Sequence, residues 1–401
     1  MTFILDTIIS AGFSVYLYGF SAIDFWLGRK AAADIEILTN AGVTDLAHLF
    51  EKLRYPGISL ADAALDYKDT TLYFRCADDI KEFHPSFNFL EFYQNLESRV
   101  FYDPCGIYHL LTGIRWNIRC LRKPNAPNIS RYPLPSPLEF FSQGINPNFE
   151  RTQALMDAAL ILAKYFPTDS IAEQEVKKIA DLFSGLREDA VLGQEEQRVF
   201  LTALMNSINP GLGLELLKTC GFIGEHWQEL AILDEADHSK DFHPEGNAWK
   251  HTMETFRYRK DSFDLRLSLG LLLHDAGKPI AVSTGSHRFD GHAELGEVQA
   301  RKFLGRLGFG ASLINDVGWM VRNHMLPAAL PRLPLFRTAE IMSSDLFPTL
   351  LELYRCDESS SFKGLDGYYE SAAAYQTYLR NRRNPYRSEN GKKLKRGFGK
   401  D

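Results

Sequence analysis

The residues of this chain with the clearest chemical use are His274 and Asp275. They stand side by side at the end of the apolar run Leu271-Leu272-Leu273 and are followed by Ala276-Gly277-Lys278-Pro279. An imidazole and a carboxylate delivered together at the end of a helix can both bind one divalent metal. Further side chains of the same types lie upstream at His251 and downstream at His292, His324 and Asp357. Such nitrogen and oxygen donors suit Mn, Fe, Ni, Co or Zn, metals that activate water and clamp phosphoryl oxygens. A single His-Asp pair is an ordinary helix ending. The company it keeps is what points to a metal.

Periodicity predicts the elements that must position these donors. Residues 265–275 are apolar on nearly every side, which predicts a buried helix, with Gly277 as the residue past its C-terminus and Pro279 as the stop. In 311–324 the residues Leu313, Ile314, Val317, Met320 and Val321 share one helical face, and His324 continues it inward. In 347–362 Pro348 suits a first turn, Leu350, Leu353 and Tyr354 form the inward stripe, and Asp357 lies on that stripe. A carboxylate on a core stripe must be paired or ligated, because burying it bare is costly. His251 falls near the start of another helix. His292 falls just before a helix carrying Leu295, Val298, Phe303, Leu304 and Leu307. Four or five helices are thus expected to aim one donor each at a common point.

The N-terminal third reads as α/β. Val15-Tyr16-Leu17-Tyr18 is a strand, Gly19 a turn, 21–28 a helix, 34–38 a second strand, 44–54 a helix and 70–75 a third strand. Asp34 and Glu36, two apart on one strand face, could chelate Mg²⁺ for nucleotidyl transfer. Residues 123–148 hold six of the eighteen prolines and read as an extended linker. Helices are expected at 150–166, 172–186, 194–207 and 211–220.

The whole chain bounds the answer. Its 401 residues suffice for two or three domains, with 45% hydrophobic and 24% charged residues as in ordinary globular proteins. A net charge of −6 gives no general attraction to nucleic acid, so RNA binding would need a local basic patch. The run 380–401 supplies one in Arg380, Arg382, Arg383, Arg387, Lys392, Lys393, Lys395, Arg396 and Lys400. Five scattered cysteines without a Cys-x-x-Cys pair fit a reduced, cytoplasmic setting rather than a disulfide framework or a zinc finger. The N-terminus lacks the basic start of a signal peptide, and no apolar run approaches the roughly 20 residues a bilayer requires.

The order His251, His274-Asp275, His292, His324, Asp357 resembles the HD superfamily of metal-dependent phosphohydrolases. Phe242-His243-Pro244-Glu245-Gly246-Asn247-Ala248-Trp249-Lys250-His251-Thr252, His274-Asp275-Ala276-Gly277-Lys278-Pro279 and Phe289-Asp290-Gly291-His292 are similar to the HD domain of bacterial tRNA nucleotidyltransferases and poly(A) polymerases. That resemblance covers about 242–360. It implies His251, His274, Asp275 and Asp357 as core metal ligands and His292 and His324 as ligands of a second ion. It also implies that Lys278 faces phosphate, with Lys278 and Asp275 as the catalytic pair.

Gly19-Phe20-Ser21-Ala22-Ile23-Asp24 through Leu27-Gly28-Arg29, then Asp34-Ile35-Glu36, resembles the nucleotidyltransferase head of the same family. That head normally reads Gly-Gly-x-x-Arg-Asp, Leu-Gly-Arg and Asp-x-Asp. Here Phe20 replaces the second glycine, Ile23 the arginine and Glu36 the second aspartate, and one residue is inserted between Gly28 and Asp34. Phe20 would crowd a triphosphate and Ile23 removes a phosphate-binding charge. Glu82-Phe83-His84 stands where Arg-Arg-Asp is expected, and the neck offers Glu150, Gln153 and Met156 where base-reading arginines belong. The matching head residues, Gly19, Asp24 and Arg29 with the metal pair Asp34 and Glu36, are therefore expected to be vestigial.

The resemblance thus implies an α+β chain made of five segments: a head (1–122), a Pro-rich linker (123–149), an all-α neck and body (150–235), an all-α HD domain (236–378) and a basic tail (379–401). The implied activity is that of an HD phosphohydrolase, a phosphatase or 2′,3′-cyclic phosphodiesterase acting on nucleotides or RNA ends, with one or two transition-metal ions. Two other readings stay open. One is an active CCA- or A-adding tRNA nucleotidyltransferase using Mg²⁺ in the head and a tRNA 3′ end as partner. The other is a non-catalytic RNA-binding or regulatory protein.

Overall fold

The computed structural model describes residues 2–29, 34–58, 61–79, 85–121, 135–167, 171–186, 192–236, 246–260, 264–284, 288–361 and 364–382. The chain divides into two compact units, Met1–Phe222 and Ile223–Asp401. The fold is α+β, with its large sheet in the first unit and helices dominating the second. No helix among the described residues is long and apolar enough to cross a membrane.

The first unit opens with α1 (Thr2–Ser10), β1 (Val15–Tyr18), α2 (Gly19–Trp26), β2 (Asp34–Thr39), α3 (Val43–Leu49), β3 (Ala63–Tyr67), β4 (Thr70–Cys76), β5 (Tyr93–Asn95) and β6 (Phe101–Tyr102). The strands form one six-stranded sheet in the order β3-β4-β2-β1-β5-β6, in which only the β2–β4 pairing is parallel. Alternation decides which way β2 faces: Ile35 and Ile37 go into the core, while Asp34 and Glu36 stay partly exposed on the other face. The helix after β1 begins at Gly19, two residues before the expected start. Gly19 does so with φ +55, a conformation a side chain would strain.

Helices follow as α4 (Tyr108–Leu121), α5 (Pro137–Gly144), α6 (Arg151–Tyr165), α7 (Glu173–Asp181), α8 (Gln194–Met205) and α9 (Pro210–Thr219). Part of the stretch expected to be an extended linker is therefore helical. Ser136 accepts from the Glu139 amide at 3.2 Å and Pro137 takes the first turn, so proline here starts a helix rather than preventing one. Residues 123–134 of that stretch, Glu82-Phe83-His84, Phe242–Glu245 and 383–401 of the basic tail lie outside the described residues.

The second unit holds most of α10 (Phe222–His226), then α11 (Gln228–Ala231), α12 (Ala248–Arg257), α13 (Leu265–Leu273), a hairpin of β7 (Val282–Thr284) and β8 (Arg288–Asp290), and α14 (His292–Arg306). After these come α15 (Ala311–Asn323), α16 (Leu326–Ala329), α17 (Leu335–Met342), α18 (Phe347–Ser359) and α19 (Asp366–Arg382). α13 is the hub of this unit. Asp264 caps it by accepting from the Arg266 amide at 2.9 Å, every residue from Leu267 to Leu273 is buried, and α12, α15 and α18 all pack on it. Each of its fully buried leucines is worth about 2 kcal/mol of transfer free energy. At Gly270 an added Cβ would stand 3.0 Å from Leu353 and 3.2 Å from Met320, so the missing side chain lets α18 and α15 close in.

Gly277 departs from its expected role. Its φ is −87, so it is no left-handed cap, and the helix itself is capped by His274. Gly277 is required for another reason: a Cβ there would lie 2.0 Å from the His292 carbonyl oxygen and 2.4 Å from the Gly296 amide. Backbone meets backbone at this point, which brings the turn after α13 onto the first turn of α14.

Candidate metal centre

Each donor reaches the centre of the second unit from a different element. His251 lies in the first half of α12, whose N-cap Asn247 accepts from the Lys250 amide at 2.9 Å. His274 and Asp275 follow the last turn of α13. His292 is the first residue of α14 rather than a residue before it, because Gly291 at φ +77 turns the chain directly into the helix. His324 caps α15, and Asp357 lies in the last turn of α18. His251, His274, Asp275 and His324 are all but completely buried, whereas the Asp357 side chain keeps 22% of its surface.

The six side chains meet. His251, His274 and Asp275 present donor atoms all within 4.8 Å of one another, as do Asp275, His292 and His324, so Asp275 is common to two triads. Asp357 Oδ1 joins the first triad 2.9 Å from His251 Nε2. Lys278 Nζ donates to Asp275 Oδ2 at 2.7 Å. Burial pushes the Asp275 carboxyl up, but His274, Lys278 and His251 outweigh it and hold the group well below the usual carboxylate range. Burial likewise opposes ionisation of Asp357, and the hydrogen bond and charge of His251 reverse the sign. Burial pushes His324 down to about 4, with His274 adding to it, and burial also lowers His292, so both imidazoles are neutral near pH 7.

The hydrogen bonds fix which nitrogen of each ring faces inward. The Nδ1 groups of His274, His324 and His292 lie 2.8, 2.7 and 2.7 Å from the carbonyl oxygens of Leu271, Val321 and Phe289. A carbonyl only accepts, so each Nδ1 is the donor and each Nε2 is the nitrogen aimed inward, with a lone pair on it in the neutral rings of His292 and His324. At His274 and His324 the acceptor is a carbonyl in the last turn of the preceding helix, where carbonyls lack the full set of intrahelical partners.

A divalent cation fits these donors. His292 Nε2 and His324 Nε2 stand 3.1 Å apart, both as acceptors, an arrangement that needs a cation or a proton between them. His274 Nε2 is buried without a hydrogen-bond partner, 3.3 Å from Asp275 Oδ2. Neutral imidazoles and ionised carboxylates around an orphaned nitrogen are the ligand chemistry of a transition-metal site. Sequence reasoning named all of these donors. It missed the carbonyls that aim them and the hydroxyl of Ser360, 3.3 Å from His251 Nδ1.

The head residues are also brought close, to a different end. Asp24 accepts from Lys164 Nζ at 2.5 Å and from the Tyr165 hydroxyl at 3.1 Å, and Arg29 lies 3.4 Å away. The Phe20 ring stacks on Tyr165 at 6.4 Å with 16° between planes, and Lys164 sits 5.4 Å over the Phe20 ring. Glu36 Oε2 accepts from the Ser21 amide at 3.3 Å and would lie 3.3 Å from a Cβ on Gly19. Burial raises Glu36 to about 7 against the pull of Lys164, and raises Asp34 to about 6 against Arg198 and Arg54. In the neck, Met156 is buried, and Gln153 and Ser86 both donate to the buried Asp157, at 3.2 and 2.5 Å.

Residues 248–346 match the HD domain model, which makes this part of the second unit an HD domain. The chain is 32% identical over 180 residues to the CC-adding tRNA nucleotidyltransferase of Thermus thermophilus, covering 42% of this chain and 40% of that protein. It is 30% identical over 138 residues to the multifunctional CCA protein of Neisseria meningitidis, covering 34% of this chain and 33% of that one. The matched stretches thus span well under half the length of these curated relatives. The crystal structure of the Bacillus stearothermophilus CCA-adding enzyme in complex with CTP covers 94% of this chain and 81% of its own at 15% identity, with a TM-score of 0.45. The chain thus carries an HD domain and, over the matched stretches, is similar to tRNA nucleotidyltransferases.

Proposed function

We propose that the HD centre is the working site and that it hydrolyses a phosphomonoester or a 2′,3′-cyclic phosphodiester on a nucleotide or an RNA end. The observation that carries this reading is the pair of donor triads sharing Asp275, with the Nε2 atoms of His274, His292 and His324 aimed inward. His251, His274, Asp275 and Asp357 would hold one divalent ion, and Asp275, His292 and His324 a second. A bound divalent metal supplies Lewis-acid activation of water and neutralises phosphoryl charge. The chain does the rest. Asp275 stays ionised under Lys278, and Lys278, one turn on with its ammonium on that carboxylate, is placed to bind a phosphoryl oxygen. The leaving hydroxyl of a ribose end would exit on the Asp357 side, where the cluster meets solvent.

The test pairs elemental analysis of freshly purified protein with turnover of p-nitrophenyl phosphate and 2′,3′-cyclic nucleotides in added Mn²⁺, Co²⁺ or Ni²⁺. The expected result is bound transition metal and cleavage, both lost in the double variant His274→Ala, Asp275→Ala. Unchanged cleavage in that variant defeats the proposal. A centre without metal or turnover supports a non-catalytic, RNA-binding or regulatory protein.

A second reading is favoured by the relatives, whose names describe CC addition and CCA activity. In it the head transfers CMP or AMP to a tRNA 3′ end with Mg²⁺ held by Asp34 and Glu36. Labelled CTP and ATP offered with a tRNA lacking its CCA decide the matter. Incorporation that Asp34→Asn abolishes supports this reading, and none at high enzyme concentration removes it.

A further inference from the structure

We infer that Ser360 is a positioning residue for the metal centre, acting by locking the tautomer of His251. The inference rests on the reading of the HD cluster as a metal site. Three of the four histidines have their Nδ1 proton held by a backbone carbonyl of their own segment. His251 differs: its Nδ1 faces the hydroxyl of Ser360 at 3.3 Å, a side chain more than a hundred residues further on. A hydroxyl has one proton to give and lone pairs to accept with. Ser360 gives its proton to the Asp357 carbonyl oxygen at 2.6 Å, the shorter of its two contacts. What remains toward His251 is an oxygen lone pair, so Nδ1 must be the donor. His251 Nε2 is then the nitrogen aimed into the cluster, hydrogen-bonded to Asp357 Oδ1 at 2.9 Å and 3.9 Å from Asp275 Oδ2.

A carboxylate only accepts, so without a metal Nε2 shares a proton with Asp357, and a cation bound there takes that proton's place. Ser360 holds the other ring proton on Nδ1, so the proton a cation displaces is the one at Nε2 and the ring ligates through that atom. The end of α18 thus supplies two things at once: Asp357 as a donor, and, three residues on, the hydroxyl that aims the histidine opposite it. Ser360 is buried at 7% exposure, so water does not readily replace its oxygen.

The test measures Co²⁺ affinity of the full chain by competition with a chromophoric chelator. It compares wild type, Ser360→Ala and Ser360→Thr, and melts the metal-free forms alongside. Losing a side-chain partner of a metal-bound histidine weakens binding by about 10- to 100-fold, and that loss is expected for Ser360→Ala. Ser360→Thr, which keeps the hydroxyl, is expected to bind as wild type does, and all metal-free forms to melt together. Wild-type affinity in Ser360→Ala overturns the role of Ser360 while leaving the metal site standing. Equal losses in both variants, or a lowered melting temperature that accounts for the loss, show a packing role instead and also overturn it. A wild type that binds no Co²⁺ overturns the reading of the cluster itself.

Discussion

The HD cluster and the head face both gather buried ionisable groups, and they do so in opposite senses. In the HD cluster the proton-bearing nitrogens of His274, His292 and His324 are spent on backbone carbonyls, so acceptors are left facing one another across a small space. In the head the groups satisfy each other: Lys164 and Tyr165 donate to Asp24, Arg29 sits beside it, and Phe20 covers Tyr165. Acceptors facing one another in this way call for a cation between them. In the head the buried charges answer one another. The contrast teaches that matching motif words say less about a site than whether its polar atoms are already paired.

The sharpest way to break this contrast is to remove one carboxylate from each region. Asp275→Asn is expected to lower Co²⁺ affinity and phosphoester cleavage by at least about 100-fold, since Asp275 serves both triads. Asp34→Asn is expected to leave both unchanged. Metal titration and initial rates on the two purified variants check this. Loss on the Asp34 side with retention on the Asp275 side would invert the comparison.

The next largest effect is expected at Phe20. The residue is 7% exposed and stacked on Tyr165, so Phe20→Ala should cost about 3 kcal/mol, read as a lower denaturant midpoint. The same variant sharpens the functional side. If the ring is what excludes a nucleotide, CTP binding detectable by fluorescence should appear in the variant and be absent in wild type. CTP binding by wild type itself would show the head to be open.

A pair of glycines gives a smaller and more local test. Gly277→Ala must push the turn after α13 away from His292 and Gly296, and should cost about 1–3 kcal/mol and weaken metal binding as well. Gly19→Ala pays for a left-handed φ, about 1 kcal/mol, with no effect on metal. Thermal melts with and without Co²⁺ separate the two. If Gly277→Ala left the metal-induced shift intact, the close approach would not be what sets the His274–His292 geometry.

What the sequence disclosed follows the same division. β1, α6, α13 and α15 were legible to within a residue or two because their patterns are long or bounded by clear stops. All six HD donors were named from the sequence, His324 and Asp357 by their place on inward helical faces and the full set by the family resemblance. β3 was not, since Ala63-Ala64-Leu65-Asp66-Tyr67 has little intrinsic strand preference and exists through its pairing with β4. The two-residue β6 and the β7–β8 hairpin are too short to carry a period. The purpose of Gly277 was misread because close approach between two backbones and a helix-ending turn both call for glycine, and only packing tells them apart. The Phe20–Tyr165 stack and the Ser360–His251 contact join residues more than a hundred positions apart, and nothing local announces either.

The smallest expected effect concerns Asp157, at the neck helix where base-reading arginines would stand in the family. Burial raises its carboxyl to about 6 from an ordinary 3.8, although Ser86 and Gln153 donate to it. Between those two values the folded chain holds a proton that the unfolded chain has released. The contribution of Asp157 to stability is therefore present at low pH and is lost as pH rises through about 6, with a slope of at most about 1.4 kcal/mol per pH unit. Asp157→Asn should flatten the melting temperature profile over this window while changing it little at pH 4. Glu36, raised to about 7, adds a parallel decline that the substitution leaves in place, so the profile becomes shallower rather than level. A carboxylate kept to read an incoming base would be held ionised by cationic neighbours, and stability would then rise with pH across the same window. That opposite slope, abolished by Asp157→Asn, would mark the neck as a working nucleotide site and the head as more than a relic.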